Sequence, residues 1–326
     1  MKKNSLGRTG LAISEIAFGG GVTGGILIRA DEATRQAALA RAVAGGINWI
    51  DTAALYGDGA SEETIGRHLP SLTPRPHVST KVRLERDDMS DIPGAIERGL
   101  TQSLRRLRLE SIALFQLHNQ LGEAVGGRPS LRPGDILRKG GVADTFDRLK
   151  QQGLFRASGL TAAGDTSACI DVIDSGRFDA AQIYYNAINP SASWTLAPAG
   201  WKAQDFSGVI AACRRHNMGM LNIRVFAGGP LARAQRPDRL AVLTSGTDVD
   251  NEVRCAAAVG RALGSAYGTP AQTALRFALA NADLSSRIIG IAALADLDEA
   301  LAAVAQGPLP GAALTRLEGL WSSDFR

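Results

Sequence analysis

The sequence predicts an α/β fold: one closed (β/α)8 TIM barrel, a single domain over residues 1–326. Three observations carry this. Eight short β-branched or apolar runs each lead into a longer amphipathic stretch, and no Pro/Ser-rich linker separates the two halves. The third is a mismatch: a doubly wound open sheet would want Gly-x-Gly-x-x-Gly between its first strand and first helix. Here Gly19-Gly20-Gly21 runs into Val22-Thr23-Gly24-Gly25, which reads as a flexible turn or as a place where a ligand approaches the backbone.

The elements follow in order. Residues 13–18 read as the first strand and 32–44 as a helix closed by Gly45-Gly46. Residues 47–51 are the second strand, and 61–69 a helix opened by an N-cap, with Glu62 and Glu63 in its first turn. The third strand is 78–81, and the helix after it runs 93–108 with Pro93 well placed in the first turn. Residues 112–118 make the fourth strand, 142–152 a helix ended by Gly153, and 155–160 the fifth strand. Residues 166–175 are helical up to Gly176, 180–185 form the sixth strand, 207–216 a helix and 220–225 the seventh strand. Helices over 251–263 and 271–280 precede the eighth strand at 287–291, and 297–305 is the last barrel helix.

Long connections lie at 119–141, 194–206 and 229–250. Strand-to-helix loops sit on the functional face of a barrel, so these are candidate substrate walls or lids, the first alternatively an oligomer contact.

Composition excludes several classes. With 45% hydrophobic and 21% charged residues there is material for a sizeable core. Lys+Arg 36 against Asp+Glu 32 leaves +4, too mild for a nucleic-acid binder. The densest basic run, Arg105, Arg106 and Arg108, ends a helical pattern and reads as a solvated face. No apolar run approaches about 18 residues, so no membrane span is expected, and the N-terminus shows no signal-peptide core. Three cysteines without a C-x-x-C pair sit in apolar helical stretches, which favours the reducing cytoplasm. Four histidines in no ligand-like spacing predict no metal.

Catalytic side chains on a barrel come from the C-terminal ends of its strands. Those ends carry Asp51, Lys81 and His118, with Tyr56 just beyond the second strand. Singly, each has an ordinary explanation as a helix cap, a snorkelling lysine or a core histidine. Four converging on one rim make chemical sense together. A phenol near pKa 10 is a poor proton shuttle at neutral pH, but a lysine ammonium beside it stabilises the phenolate and a buried aspartate keeps that lysine charged. A neighbouring histidine orients a carbonyl oxygen.

Further motifs surround these four positions: Leu6-Gly7-Arg8-Thr9-Gly10-Leu11, the run Gly45-Gly46-Ile47-Asn48-Trp49-Ile50-Asp51-Thr52-Ala53 with Tyr56-Gly57, and Ser61-Glu62-Glu63-Thr64-Ile65-Gly66. They continue through Ser79-Thr80-Lys81-Val82, Leu117-His118, Gln182 with Tyr185-Asn186, Ala227-Gly228-Gly229 and Thr269-Pro270-Ala271-Gln272. In these segments the chain closely resembles the aldo-keto reductase family. The resemblance implies a barrel that binds NADP(H) or NAD(H) in extended form. It implies a catalytic tetrad on Asp51, Tyr56, Lys81 and His118, in which Tyr56 is the general acid or base, Lys81 and Asp51 tune it, and His118 positions the carbonyl.

Cofactor contacts implied by the resemblance fall on Gly20, Gly21, Asp51, Thr161, Gln182, Arg224, Phe226, Gly228, Leu231 and Asp296. The chain departs from the family at several of them. The family's Ser-Asn pair after the fifth strand is Thr161-Ala162 here, and its Tyr-Ser-Pro-Leu run is Ile223-Arg224-Val225-Phe226. Arg224 suits a pyrophosphate, an acidic substrate or plain solvent. After the eighth strand no Lys or Arg follows Arg287, and Asp296 stands where an Arg or Gln is common. A carboxylate there would repel a 2′-phosphate and accept from a ribose diol, so NAD is expected over NADP unless Asp296 merely caps the last helix.

The segment 51–66 is similar to the sugar dehydrogenases of the family, so the expected function is an NAD-linked aldose-type sugar or alcohol dehydrogenase. The alternatives are a general aldehyde/ketone reductase and a nucleotide-sensing regulatory subunit. Polar pocket walls favour the sugar, and a wall of Trp and Leu the aldehyde, which makes Trp49, Trp194 and Trp201 the aromatics to locate. Substrate contacts are expected from 23–29, 119–141 and 194–206. No strand end supplies the paired ligands of a metal-dependent barrel hydrolase.

Overall fold

The computed structural model describes residues 1–123, 129–233 and 248–325. The expected first strand over 13–18 is two strands with different tasks. Ala12–Ser14 pairs antiparallel with Lys3–Ser5 as a hairpin, and Ile16–Gly19 enters the barrel as β1. The break lies between them, where the Ser14 hydroxyl donates to the Ile16 carbonyl and the Ser14 N–H is taken by the Asn48 side chain. The hairpin closes the barrel floor: Leu6, Leu11 and Ile13 pack with Trp49, Leu114, Ala157, Ala180 and Leu221 in a cluster of their own.

The remaining barrel strands are β2 (Trp49–Asp51), β3 (His77–Val82), β4 (Ile112–Leu117), β5 (Phe155–Ala162), β6 (Ala180–Tyr184), β7 (Gly219–Ile223) and β8 (Ser286–Gly290). They form one closed barrel with sequential neighbours, all pairs parallel, as the sequence predicts. The register sets Asp51 beside Ser79, Lys81 beside Gln116, Gln116 beside Gly159 and Gly159 beside Ala180. Because side chains alternate along each strand, these positions point into the barrel and their neighbours pack outward on the helices.

Most helices keep the expected bounds within a residue or two. Glu32–Ala44 starts at an Asp31 cap, Ile92–Leu107 at Asp91, and Pro270–Leu279 at a Thr269–Gln272 capping box. Ala60–His68 differs from expectation. No side chain caps it; Gly59 in the left-handed conformation leads in, and Ser61 is buried with its hydroxyl accepting from Thr52. Arg106 likewise leaves the expected solvated face. Its guanidinium Nε donates to the buried Glu62 carboxylate at 2.6 Å, tying two helices together.

The helix Gly311–Ser322 is absent from the sequence reading, because no strand follows it to continue the repeat. Its Trp321 indole donates to the Ala187 carbonyl and packs edge-on to Trp194 and Phe277. All three cysteines are buried, and burial pushes the Cys213 thiol up to about 12. Among the described residues no helix is long and apolar enough to cross a membrane.

Candidate active site

Asp51 ends β2, and Lys81 is the next-to-last residue of β3. Both are buried, 2% and 1% exposed. Lys81 Nζ donates to Asp51 Oδ2 at 2.6 Å, to the Thr52 carbonyl at 2.7 Å and to the Tyr56 hydroxyl at 3.3 Å. All three ammonium protons therefore have an acceptor. Burial opposes the Lys81 charge, but the facing Asp51 carboxylate and then the Tyr56 oxygen outweigh it. The ammonium is held above the ordinary lysine range.

Tyr56 reaches the ammonium from a tight turn after β2, its N–H donating to the Ala53 carbonyl. His118 is the first residue after β4, fixed by its N–H on the Val82 carbonyl at 2.8 Å. The two rings meet edge to face with centroids 5.7 Å apart, and both are half-buried. The four residues singled out on the sequence thus converge on one rim.

Two further residues of this cluster escape the sequence reading. Asp51 Oδ1 accepts from Ser79 Oγ at 2.8 Å, Gln116 Nε2 at 3.2 Å and Gln182 Nε2 at 3.0 Å. Ser79 in turn accepts from the Trp49 indole at 2.9 Å. Period-two alternation back from Lys81 gives Ser79, and the same alternation back from His118 gives Gln116, so the pattern is present in the sequence. Trp49 lies in the floor of the barrel, below this layer.

Above the cluster opens a cleft of about 1000 Å³. At one end it is lined by Leu55, Tyr56, Arg83, His118, Gln120 and Pro129, and at the other by Gly290, Ala292, Asp296 and Glu299. Of the expected cofactor contacts, Gly21, Asp51, Thr161, Gln182, Arg224, Phe226, Gly228 and Asp296 line it. Gly20 and Leu231 do not. A side chain at Gly20 would meet Ser61 Oγ at 2.5 Å, and Leu231 is 4% exposed in the core, so both stand behind the wall. The Thr161 hydroxyl is buried at the wall with no partner among the described protein atoms. Arg224 turns off the end of β7 in the left-handed region at φ 61°, held by Asn186 donating to its carbonyl.

Asp296 does two things at once. Its Oδ2 accepts from the Ala292 and Ala293 N–H groups, so it does cap the last barrel helix, Leu294–Gln306; its Oδ1 pairs with Arg233 at 3.2 Å. Of the long loops, 119–141 contributes Gln120 and Pro129 to the cleft, residues 124–128 lying outside the described residues. The expected wall at 229–250 lies outside them from 234 to 247. The segment 194–206 is a correction: none of its residues lines the cleft, because Trp194 and Trp201 pack on each other and on Trp321 and Phe325. Thr23, Gly24 and Arg29 of 23–29 do line it.

The sequence profile described as "Aldo/keto reductase family" matches residues 15–322. The chain belongs to the aldo-keto reductase family. That membership makes it an NAD(P)-dependent oxidoreductase. Among curated proteins it is similar to L-galactose dehydrogenase of Arabidopsis thaliana, 25% identical over 309 residues covering 93% of this chain and 88% of that one. It also resembles an uncharacterized oxidoreductase of Bacillus subtilis, 29% identical over 50% of this chain and 49% of that protein. Among solved structures, a holo-form aldo-keto reductase of Bacillus halodurans superposes with TM-score 0.76 at 21% identity, covering 98% of this chain and 96% of that one. An aldo-keto reductase of Klebsiella pneumoniae solved with NADPH gives 0.71 at 19% identity, covering 99% and 96%. At these identities the two structures show the shared barrel fold.

Proposed function

We propose that this aldo-keto reductase moves a hydride between a nicotinamide dinucleotide and a carbonyl or alcohol carbon, most simply as an aldose-type sugar or alcohol dehydrogenase. One observation carries the reading: a single buried ammonium bridges the Asp51 carboxylate and the Tyr56 hydroxyl at the cleft floor. The bound nicotinamide supplies or accepts the hydride. Tyr56 gives its phenolic proton to the substrate oxygen in reduction and takes it in oxidation. Lys81 stabilises the phenolate that remains, and Asp51 keeps Lys81 charged against its burial. His118, edge-on to Tyr56, orients the oxygen.

The cleft suits the dinucleotide on its own features. The unpartnered Thr161 hydroxyl offers a donor to a carboxamide, and Gln182 stands beside it on the wall. Arg224 and the backbone at Gly228, after β7, would hold the phosphates, and Gly21 allows close approach of the backbone. Asp296 faces the ribose end. We read the preference as NAD(H), because a 2′-phosphate there meets a like charge. The Arg233 partner and two amide donors offset most of that charge, so the expected discrimination is about tenfold or less, some 1.4 kcal/mol.

The end of the cleft near Tyr56 carries Arg83, His118 and Gln120 beside Leu55 and Pro129, and no tryptophan stands among the described lining residues. Polar walls favour a hydroxylated substrate over a bulky apolar aldehyde, in keeping with the L-galactose dehydrogenase relative. A family relative named as a probable potassium channel subunit beta matches 36% of this chain, but a nucleotide sensor has no need of the complete Asp51–Lys81–Tyr56 relay.

Two measurements test the reading. Tyr56→Phe is expected to lower kcat by about 10²- to 10⁴-fold on a panel of aldoses, alcohols and aldehydes while NADH still quenches tryptophan fluorescence; most activity surviving overturns the role of Tyr56. Separate titrations with NADH and NADPH decide the cofactor, and equal or tighter NADPH binding refutes the Asp296 argument.

A further inference from the structure

We propose that Arg83 is the anchor for an anionic group, a carboxylate or a phosphate, that the substrate carries away from its reacting carbon. This rests on the reading above that the cleft takes a carbonyl or alcohol. It narrows that reading to acidic members of the class, such as an aldehydic or hydroxy acid or a sugar phosphate.

The placement follows from strand geometry. Residues two apart on a strand share a face and stand about 6.5–7 Å apart along it. Arg83 follows β3 directly and is two residues beyond Lys81, so it continues the inward face one rung higher. It lines the cleft with Tyr56, His118 and Gln120, its side chain 34% exposed.

Three other cations of the cleft are committed within the protein, and Arg224 is assigned above to the cofactor phosphates. Lys81 is spent on Asp51, Thr52 and Tyr56. Arg29 donates to the Val22 and Gly24 carbonyls and locks the loop after β1. Arg233 pairs with Asp296. Arg83 has a carboxylate partner of a different kind. Its Nε (2.8 Å) and one terminal nitrogen (2.5 Å) both fall on the same oxygen, Oε1 of Glu85, whose side chain is 51% exposed.

That pair comes from a near neighbour in sequence, sits in water on one side and uses one carboxylate oxygen rather than two. Exposed pairs of this kind contribute little and exchange readily. A guanidinium fork matches a carboxylate or phosphate through two oxygens. A substrate anion arriving from the cleft therefore replaces Glu85 with a better-shaped partner. The Glu85 backbone stays fixed by its N–H on Asp88 Oδ2 at 2.8 Å.

The experiment compares matched substrate pairs at fixed cofactor: succinic semialdehyde with butanal, and glyceraldehyde 3-phosphate with glyceraldehyde. The anionic member is expected to have at least tenfold higher kcat/KM in the native protein. Arg83→Gln should lower that ratio about tenfold, mostly through KM, and Arg83→Lys should restore part of it. Glu85→Gln should raise it, which a merely structural Arg83 would not produce. The pair that responds identifies carboxylate or phosphate.

A ratio that Arg83→Gln leaves unchanged overturns the proposal while leaving the oxidoreductase reading intact. If no member of either pair turns over, that reading fails for these carbonyls, and calorimetry of succinate and of inorganic phosphate with NADH present decides instead. Binding of either anion at least tenfold weaker in Arg83→Gln supports the anchor; equal affinity in both proteins, or binding of neither anion, rejects it.

Discussion

Asp51→Asn removes one charge from a pair that is closed to solvent on both sides. Asp51 Oδ1 accepts from three donors and Oδ2 from Lys81 at 2.6 Å, so the carboxylate has no position where an amide NH2 fits. Whichever way the new amide turns, a donor faces a donor. Truncating one partner of a buried ion pair costs about 3–5 kcal/mol, which lowers Tm by about 4–7 °C in a chain of this size. The sign of the pH dependence discriminates further. In the native protein Lys81 is held above the ordinary lysine range, burial opposing and Asp51 prevailing. Its contribution is complete below about pH 10.4 and is lost as pH rises through the raised folded value. Without the carboxylate, burial is opposed only by the Tyr56 oxygen, and the folded pKa is expected to fall below the unfolded one.

Between those two values the unfolded variant binds more protons than the folded one. Its stability therefore climbs with pH, by up to about 1.4 kcal/mol per unit. The deficit against the native protein is greatest near neutrality and narrows toward pH 10. Urea unfolding of both proteins at pH 7, 8, 9 and 9.5, followed by tryptophan fluorescence, measures it directly. A deficit under 1 kcal/mol, or one that stays constant across the series, would show that Asp51 does not hold the charge on Lys81.

Three other outcomes follow from single contacts. Thr161→Val removes a hydroxyl with no partner among the described protein atoms, so stability should hold within about 0.5 kcal/mol while the cofactor Kd rises about 5- to 30-fold, the value of one hydrogen bond. Loss of stability without loss of cofactor affinity would contradict the seat assigned to it. Gly24→Ala sets a methyl 2.3 Å from the Ile291 backbone nitrogen and should cost about 2–3 kcal/mol in a thermal melt, since backbone on both sides has to move. Arg287→Met should cost about 2–4 kcal/mol by chemical denaturation. The buried guanidinium donates to the Ala278, Leu279 and Asn281 carbonyls at the end of a helix, and those acceptors would be left without it.

The barrel was legible because its signals are local. Each strand is a short apolar run and each helix an amphipathic one, and Pro93 in a first turn and the closing Gly45, Gly153 and Gly176 mark helix ends in the sequence itself. The tetrad was legible because strand ends fix where side chains converge. The misreadings share one cause: the deciding contact is distant in sequence. Residues 13–18 look like one strand until Asn48 and the Lys3–Ser5 partner split them. Trp194 and Trp201 look like pocket walls until Trp321, from a helix that periodicity alone left out, packs beside them. Asp296 shows both a cap and a cleft wall because the geometry permits both, and no spacing rule separates those roles.

The inward layer at the top of the barrel explains why catalysis and stability are tied together here. A barrel of this kind fills its interior with branched apolar side chains, as the Leu114–Ala157–Leu221 floor does. One rung above, the same strands present Asp51, Ser79, Lys81, Gln116 and Gln182, all buried. Polar groups at that depth are tolerated only when paired. Asp51 achieves this by accepting from β3, β4 and β6 together: Lys81 and Ser79, Gln116, and Gln182. The carboxylate is thus a joint between four strands as well as the counter-ion of the proton relay. A substitution that detunes the relay also opens the joint, so loss of activity at Asp51, Ser79 or Gln116 has to be read beside an unfolding curve. Tyr56 stands outside this joint, on a loop and touching it only through Lys81. Its removal is the perturbation that separates chemistry from fold.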